Sequence, residues 1–158
     1  MIATFPIEGW ASIYDAPDLN NDVVAPGAFA RSLARTRASG VKLLCQHVAE
    51  RPIGRWLSFE EREKGLYAKG ELYLATRCAE ETAALIDAGI IDGLSIGFRV
   101  LRAIRGESGR RIVEADLWEV SVVTFPMAPA ARIVRAGRQS HRSVFADAVR
   151  GAAAILSA

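Results

Sequence analysis

Three residues set far apart in this chain could together split an acyl bond. Ser95 lies in Asp92-Gly93-Leu94-Ser95-Ile96-Gly97-Phe98, between two glycines. Flanking glycines let the backbone turn sharply and let a substrate carbonyl come close, so a serine there is a candidate nucleophile. The same stretch also fits a helix end followed by a buried strand, because G-x-S-x-G is short and recurs by chance. A serine hydroxyl is weak until a base takes its proton, and near neutral pH that base is most often histidine. The chain has two histidines, His47 in Leu44-Cys45-Gln46-His47 and His141 in a polar stretch near the C-terminus. A third group must orient the base, and Glu119 in Trp118-Glu119-Val120-Ser121 is a carboxylate that could do so.

Two other assignments use neighbouring residues. Ser95, then Asp116 or Glu119, then His141 follows the chain order of an α/β-hydrolase. That fold needs a strand before the serine and a helix after it, whereas here a helical pattern precedes Ser95 and a strand pattern follows. Cys45 with His47 would make a thiol nucleophile. Residues two apart on a strand stand about 7 Å from each other, at about 3.3 Å per residue, too far for a thiol–imidazole hydrogen bond.

The elements that must hold these groups are mostly strands in hairpins, about seven of them, with two interior helices and one terminal helix. Glu8 to Tyr14 reads as a first strand, and Asp15 to Asp22 as a loop. A helix is expected from Pro26 to about Ala38, stopped by Ser39-Gly40. Val41 to His47 and Pro52 to Phe59 read as strands. Leu66, Ala68, Gly70, Leu72 and Leu74 fall on one face of another, with the charged turn Glu60–Gly65 making a hairpin. Thr76 caps a helix from Arg77 to about Ala88, and Gly89 ends it. Phe98–Ile104 and Arg111–Thr124 form a second hairpin over Gly106-Glu107-Ser108-Gly109, and Pro126 and Pro129 end the sheet. Ser143 to Leu156 carries a one-sided apolar stripe, the mark of an amphipathic helix.

Composition bounds the answer. A length of 158 residues suits one domain, and 51% apolar content supplies a core. No run of about 18 uncharged apolar residues exists to span a membrane, and the first residues do not read as a secretory signal. Two cysteines, Cys45 and Cys78, make no disulfide framework and no zinc-ligand cluster. Net charge is +2 but uneven: residues 1–98 hold 10 basic and 13 acidic groups, residues 99–158 hold 10 and 5. No basic motif interleaved with aromatics marks a specific nucleic-acid site.

Five segments stand in order: Asp22-Val23-Val24-Ala25-Pro26-Gly27-Ala28-Phe29, Leu43 to His47, Pro52-Ile53-Gly54, Gly93 to Phe98, and Glu119 to Pro126. Together they resemble the prohead proteases of tailed phages, serine enzymes of capsid maturation related in fold to the herpesvirus assemblins. The resemblance runs from about residue 8 to residue 134. It implies a mainly β fold with helices: an assemblin-like closed β-barrel of about seven mostly antiparallel strands, surrounded by helices. It makes residues 1–136 the protease domain and 137–158 a helical tail. It assigns Ser95 as nucleophile and His47 as base. Assemblins have a second histidine where this chain has Glu119, which becomes the orienting group, with Asp116 and Ser121 as fallbacks.

The expected activity is a serine endopeptidase acting on scaffold or capsid-protein segments, with itself as a further candidate substrate, inside the procapsid in the bacterial cytoplasm. No metal or cofactor is expected, nor a membrane or specific nucleic-acid partner. A homodimer or higher homo-oligomer is expected by analogy with assemblins. The alternatives are a catalytically silent assembly module of the same fold and, behind it, an α/β-hydrolase-type esterase.

Overall fold

The computed structural model describes residues 1–106 and 109–137. The expected tail helix and His141 therefore lie outside the described residues. The elements are β1 (Thr4–Ile13), β2 (Val23–Val24), α1 (Ala30–Gly40), β3 (Lys42–Cys45), β4 (Val48–Arg62), β5 (Gly65–Tyr73), α2 (Arg77–Asp87), β6 (Gly93–Arg105), β7 (Arg110–Val123) and β8 (Ile133–Ala136). The mainly β class is as expected. Strands β2 and β8 escaped the sequence pattern, since runs of two and four residues display little period; β3, as short as β8, shows itself by its apolar run.

One sheet contains all eight strands, in the order β2-β7-β3-β4-β5-β1-β8, with β6 on β7. Most ladders are antiparallel; β2 and β3 each run parallel to β7. The sheet is not closed into a barrel, which corrects the expectation. Its two ends meet through one isolated bridge, Gly93 with Arg132. Beyond that point Ile133 onward pairs with β1, so among the described residues no continuous ladder seals the gap. The preceding loop carries Pro126 and Pro129, which have no N–H to donate to a ladder.

The hairpin of β4 and β5 follows from the sequence. Leu66, Ala68 and Leu72 are fully buried, each two residues from the next or a multiple of two, and Gly70 is buried between them. They pack with Phe29, Leu43, Ile53, Leu94, Ile112, Leu117, Val120 and Val122 into one core. Burial of each such side chain is worth about 1.5–3 kcal/mol relative to exposure. Trp56 of β4 is buried there, and its indole N–H donates to the Val120 carbonyl at 3.2 Å.

Helix α2 starts and stops as expected. Thr76 accepts a hydrogen bond from Ala79 N at 3.2 Å, and Gly89 takes φ 68° just past the end. Helix α1 begins later than expected, at Ala30, because residues 26–29 form turns first: Ala28 N donates to Ala25 O and Ala30 N to Gly27 O. It is tied to β7 by a buried serine, whose hydroxyl Ser32 Oγ accepts from Leu117 N at 3.0 Å. α1 thus fixes the middle of β7, the strand on which the site is built.

Candidate active site

Strand β7 lies between β3 and β6; Ser95 is on β6, Glu119 on β7, and His47 in the turn that follows β3. The parallel β3–β7 ladder sets Lys42 beside Glu119, Leu44 beside Ser121 and Cys45 beside Val122. The antiparallel β6–β7 ladder sets Ser95 opposite Ser121 and Gly97 opposite Glu119. Directly opposed residues share a face, as do residues two apart on a strand. Ser95, Gly97, Glu119 and Ser121 therefore line one face. Ser95 belongs to β6 itself, which starts at Gly93 rather than at Phe98 as the sequence pattern suggested.

His47 is not on a strand. The chain leaves β3 at Cys45 and turns back into β4 at Val48, with Gln46 at φ 54° and His47 at φ 60°. Such left-handed conformations cost a non-glycine residue roughly 1–2 kcal/mol. Four hydrogen bonds with β7 and its end hold the turn. Gln46 N donates to Val122 O at 2.9 Å, and His47 N donates to Ser121 Oγ at 3.1 Å. The Gln46 side chain donates from Nε2 to Thr124 Oγ1 at 2.9 Å and accepts from Thr124 N at Oε1 at 3.2 Å. Strain held in place this way is typical of positions where a side chain must be aimed.

The turn aims the imidazole at β7, where His47 Nδ1 hydrogen-bonds Glu119 Oε1. The other carboxylate oxygen, Glu119 Oε2, accepts from Ser121 Oγ at 2.6 Å. The hydrogen bond to Glu119 raises the His47 pKa above its ordinary 6.5, the carboxylate charge adds to the rise, and partial burial opposes it. With Nδ1 taken by the carboxylate, Nε2 is the nitrogen left to accept a proton. The His47 side chain keeps 42% of its exposure and Glu119 only 14%, so the imidazole reaches solvent while its partner is mostly screened from it.

Gly97 explains the second glycine of the motif. A Cβ there would lie 2.2 Å from Glu119 Oε1 and 2.8 Å from Cγ and Cδ of the same side chain. The glycine is the space into which Glu119 folds. The Ser95 residue is 4% exposed and lines a cavity of about 40 Å³ with Ala11, Ser12, Phe98, Met127 and Ala131. Among the described residues no hydrogen bond to the Ser95 hydroxyl is formed, and His47 does not line that cavity.

The fallback carboxylate has other work. Asp116 accepts from Arg35 at 2.5 Å and from Arg99 at 2.8 Å, and these bonds lower its pKa below the usual carboxylate value. Cys45 is engaged by α2, where the Thr82 hydroxyl contacts its sulfur at 3.7 Å. From the sequence, Ser121 stands only as a substitute for Glu119. Its place two residues along the same strand was the available signal, because period two puts both side chains on one face.

A family model described as Caudovirus prohead serine protease matches residues 3–144. The chain belongs to that family. It is 35% identical over 123 residues to the prohead protease of Enterobacteria phage HK97, covering 75% of this chain and 54% of that one. It thus spans about half the length of that curated relative. In fold it resembles the capsid assembly protease of bacteriophage T4, with a TM-score of 0.57 at 14% identity, over 75% of this chain and 80% of that one. It also resembles the protease of Kaposi's sarcoma-associated herpesvirus in complex with a dimer disruptor, with a TM-score of 0.56 at 15% identity over 90% and 80% of the two chains. The assemblin-like fold expected for this prohead protease family member is therefore the one observed, with an open sheet in place of the closed barrel.

Proposed function

We propose that this chain is a serine endopeptidase of capsid maturation. The observation that carries the reading is the His47–Glu119 hydrogen bond, set on one side of β7 while Ser95 stands opposite Ser121 on the other. Family membership and the HK97 relative support the same activity. In the proposed reaction Ser95 Oγ attacks the scissile carbonyl and His47 Nε2 takes its proton. His47 then gives that proton to the leaving amine, and water releases the acyl group by the same path. Glu119 holds the ring with Nδ1 protonated and stabilises the imidazolium while it exists. Binding of a substrate would bring Ser95 and His47 into direct contact, since catalytic hydrogen bonds are often long or absent without ligand.

The proposed substrates are segments of the capsid or scaffold protein, cleaved within the immature shell, with the chain's own tail as a further candidate. Residues 137–158 are proposed as a docking segment, from the apolar stripe between Val144 and Leu156. Self-association is proposed from the herpesvirus relative, whose structure was determined with a dimer disruptor.

The test is co-expression with the natural capsid protein. Ser95→Ala should fold, abolish cleavage and abolish covalent capture by a peptide phosphonate, a reagent that bonds an activated serine. Full cleavage by Ser95→Ala would overturn the assignment, and would favour Cys45 if Cys45→Ser alone were inactive. Truncation after Gly137 should lose oligomers in sedimentation while the domain stays folded.

A further inference from the structure

Ser121 has no exposed surface, yet its hydroxyl is the meeting point of the site. It receives the backbone N–H of His47 at 3.1 Å and lies 2.6 Å from Glu119 Oε2. A hydroxyl has one hydrogen and two lone pairs. The His47 amide supplies its own hydrogen, so the Ser121 hydrogen is free to go to the carboxylate, which has none to give. The directions are thereby fixed: His47 N–H donates to Ser121 Oγ, and Ser121 O–H donates to Glu119 Oε2. His47 Nδ1–H donates to Glu119 Oε1 and closes the ring.

From this we propose that Ser121 is a positioning residue of the catalytic site, acting on His47 from both ends. Its acceptor side anchors the backbone of a residue held at φ 60°, and its donor side stops the Glu119 carboxylate from rotating about its last torsion. Both freedoms would move the imidazole relative to Ser95, which stands directly across the ladder from Ser121. Gly97 bounds the carboxylate on one side and Ser121 on the other, so Glu119 has one seat. A misplacement of about 1 Å in a catalytic group can cost about 10²-fold in rate without touching binding.

This rests on the reading of His47 as base and Glu119 as its partner, and the test separates the two. Ser121→Thr and Ser121→Val have nearly the same shape, so their difference isolates the hydroxyl. With a cleavable peptide, Ser121→Val and Ser121→Ala should lose about 10–100-fold in kcat with KM within twofold, and Ser121→Thr should recover most of that loss. Equal rates for the Thr and Val variants, or a change confined to KM, would overturn the proposal.

A second measurement needs no variant at Ser121 and no turnover. In the Ser95→Ala protein, the His47 amide should exchange slowly with deuterium, and the Nδ1 proton should appear far downfield by NMR. Rapid exchange of that amide would overturn the clamp even if every Ser121 variant failed to fold. Loss of activity in Ser121→Val alongside full activity in His47→Ala would instead overturn the underlying assignment of the base.

Discussion

The two halves of β7 handle negative charge in opposite ways. Toward its start the carboxylates meet arginines: Glu114 pairs with Arg31, and Asp116 takes both Arg35 and Arg99. Nearby, Asp15 and Asp22 are paired with Arg111 and Arg110 of the strand itself. Toward its end Glu119 meets an imidazole and a hydroxyl instead. An arginine keeps its charge at any working pH, so its pairs are fixed braces. An imidazole gains and loses its charge near neutrality, so the same carboxylate there becomes a partner whose hold changes with each proton. What distinguishes the candidate catalytic carboxylate from the structural one three residues away is the company it keeps.

The sharpest break of this comparison exchanges the loss between the two carboxylates. Glu119→Gln should lower kcat by on the order of 10³–10⁴-fold, the scale on which triads lose rate when the group that orients the base is removed. Asp116→Asn should leave kcat nearly intact. Equal losses in the two variants would mean that Asp116 shares the role.

Next in size is the glycine that seats Glu119. Gly97→Ala should lower kcat by about 10–100-fold, because its Cβ displaces the carboxylate. In a Glu119→Ala background the same substitution should cost no more than about twofold, since the collision partner is gone and the effects are not additive. Additive losses would show that Gly97 acts through something other than Glu119.

The pH profile offers a finer distinction. Glu119 raises the His47 pKa, so protonated His47 persists to higher pH than an unperturbed imidazole, whose pKa is about 6.5. The base must be neutral to accept a proton. The acid limb of kcat/KM should therefore lie above about 6.5 in the parent protein and move down in Glu119→Gln. Asp116→Asn should leave the limb where it is. An acid limb unmoved by Glu119→Gln would detach the two groups.

The smallest effect belongs to the braces. Asp116→Asn should lower the urea midpoint at neutral pH, although Arg35 and Arg99 keep much of their solvent exposure and the drop should be modest. The carboxylate pKa is depressed in the folded state, so its contribution exists above the unfolded pKa and fades as pH falls through the folded one. The difference between the parent and Asp116→Asn should vanish in strong acid.

What the sequence disclosed and what it withheld divide along the same line. Local chemistry was legible: the Thr76 cap, the Gly89 stop and the alternation of β5 are written in adjacent residues. The candidate residues Ser95, His47 and Glu119 stand there as types in a familiar order, and the structure brings two of them, His47 and Glu119, into contact. The pairing of β3 with β7 was not, because nothing in Lys42–Cys45 names a partner some 77 residues away. His47 reads as strand because the apolar run up to Cys45 continues into it, and only that distant pairing shows why the chain turns there. Gly97 and Ser121 gained their meaning last. Each is explained by Glu119, across a ladder or along a strand, and a one-dimensional pattern shows neither relation.

The parallel ladder between β3 and β7 also has a consequence for synthesis. The proposed base, His47, and the proposed nucleophile, Ser95, are both translated before Glu119 and the rest of β7. A nascent chain ending before Glu119 carries Ser95 and His47 but lacks the carboxylate, the hydroxyl and the ladder that aim the imidazole. Contacts this distant in sequence also form slowly, because loop closure must precede them. A chain proposed to cut proteins, itself included, would thus stay harmless on the ribosome. Its catalytic competence would arrive with β7, when the domain is nearly complete.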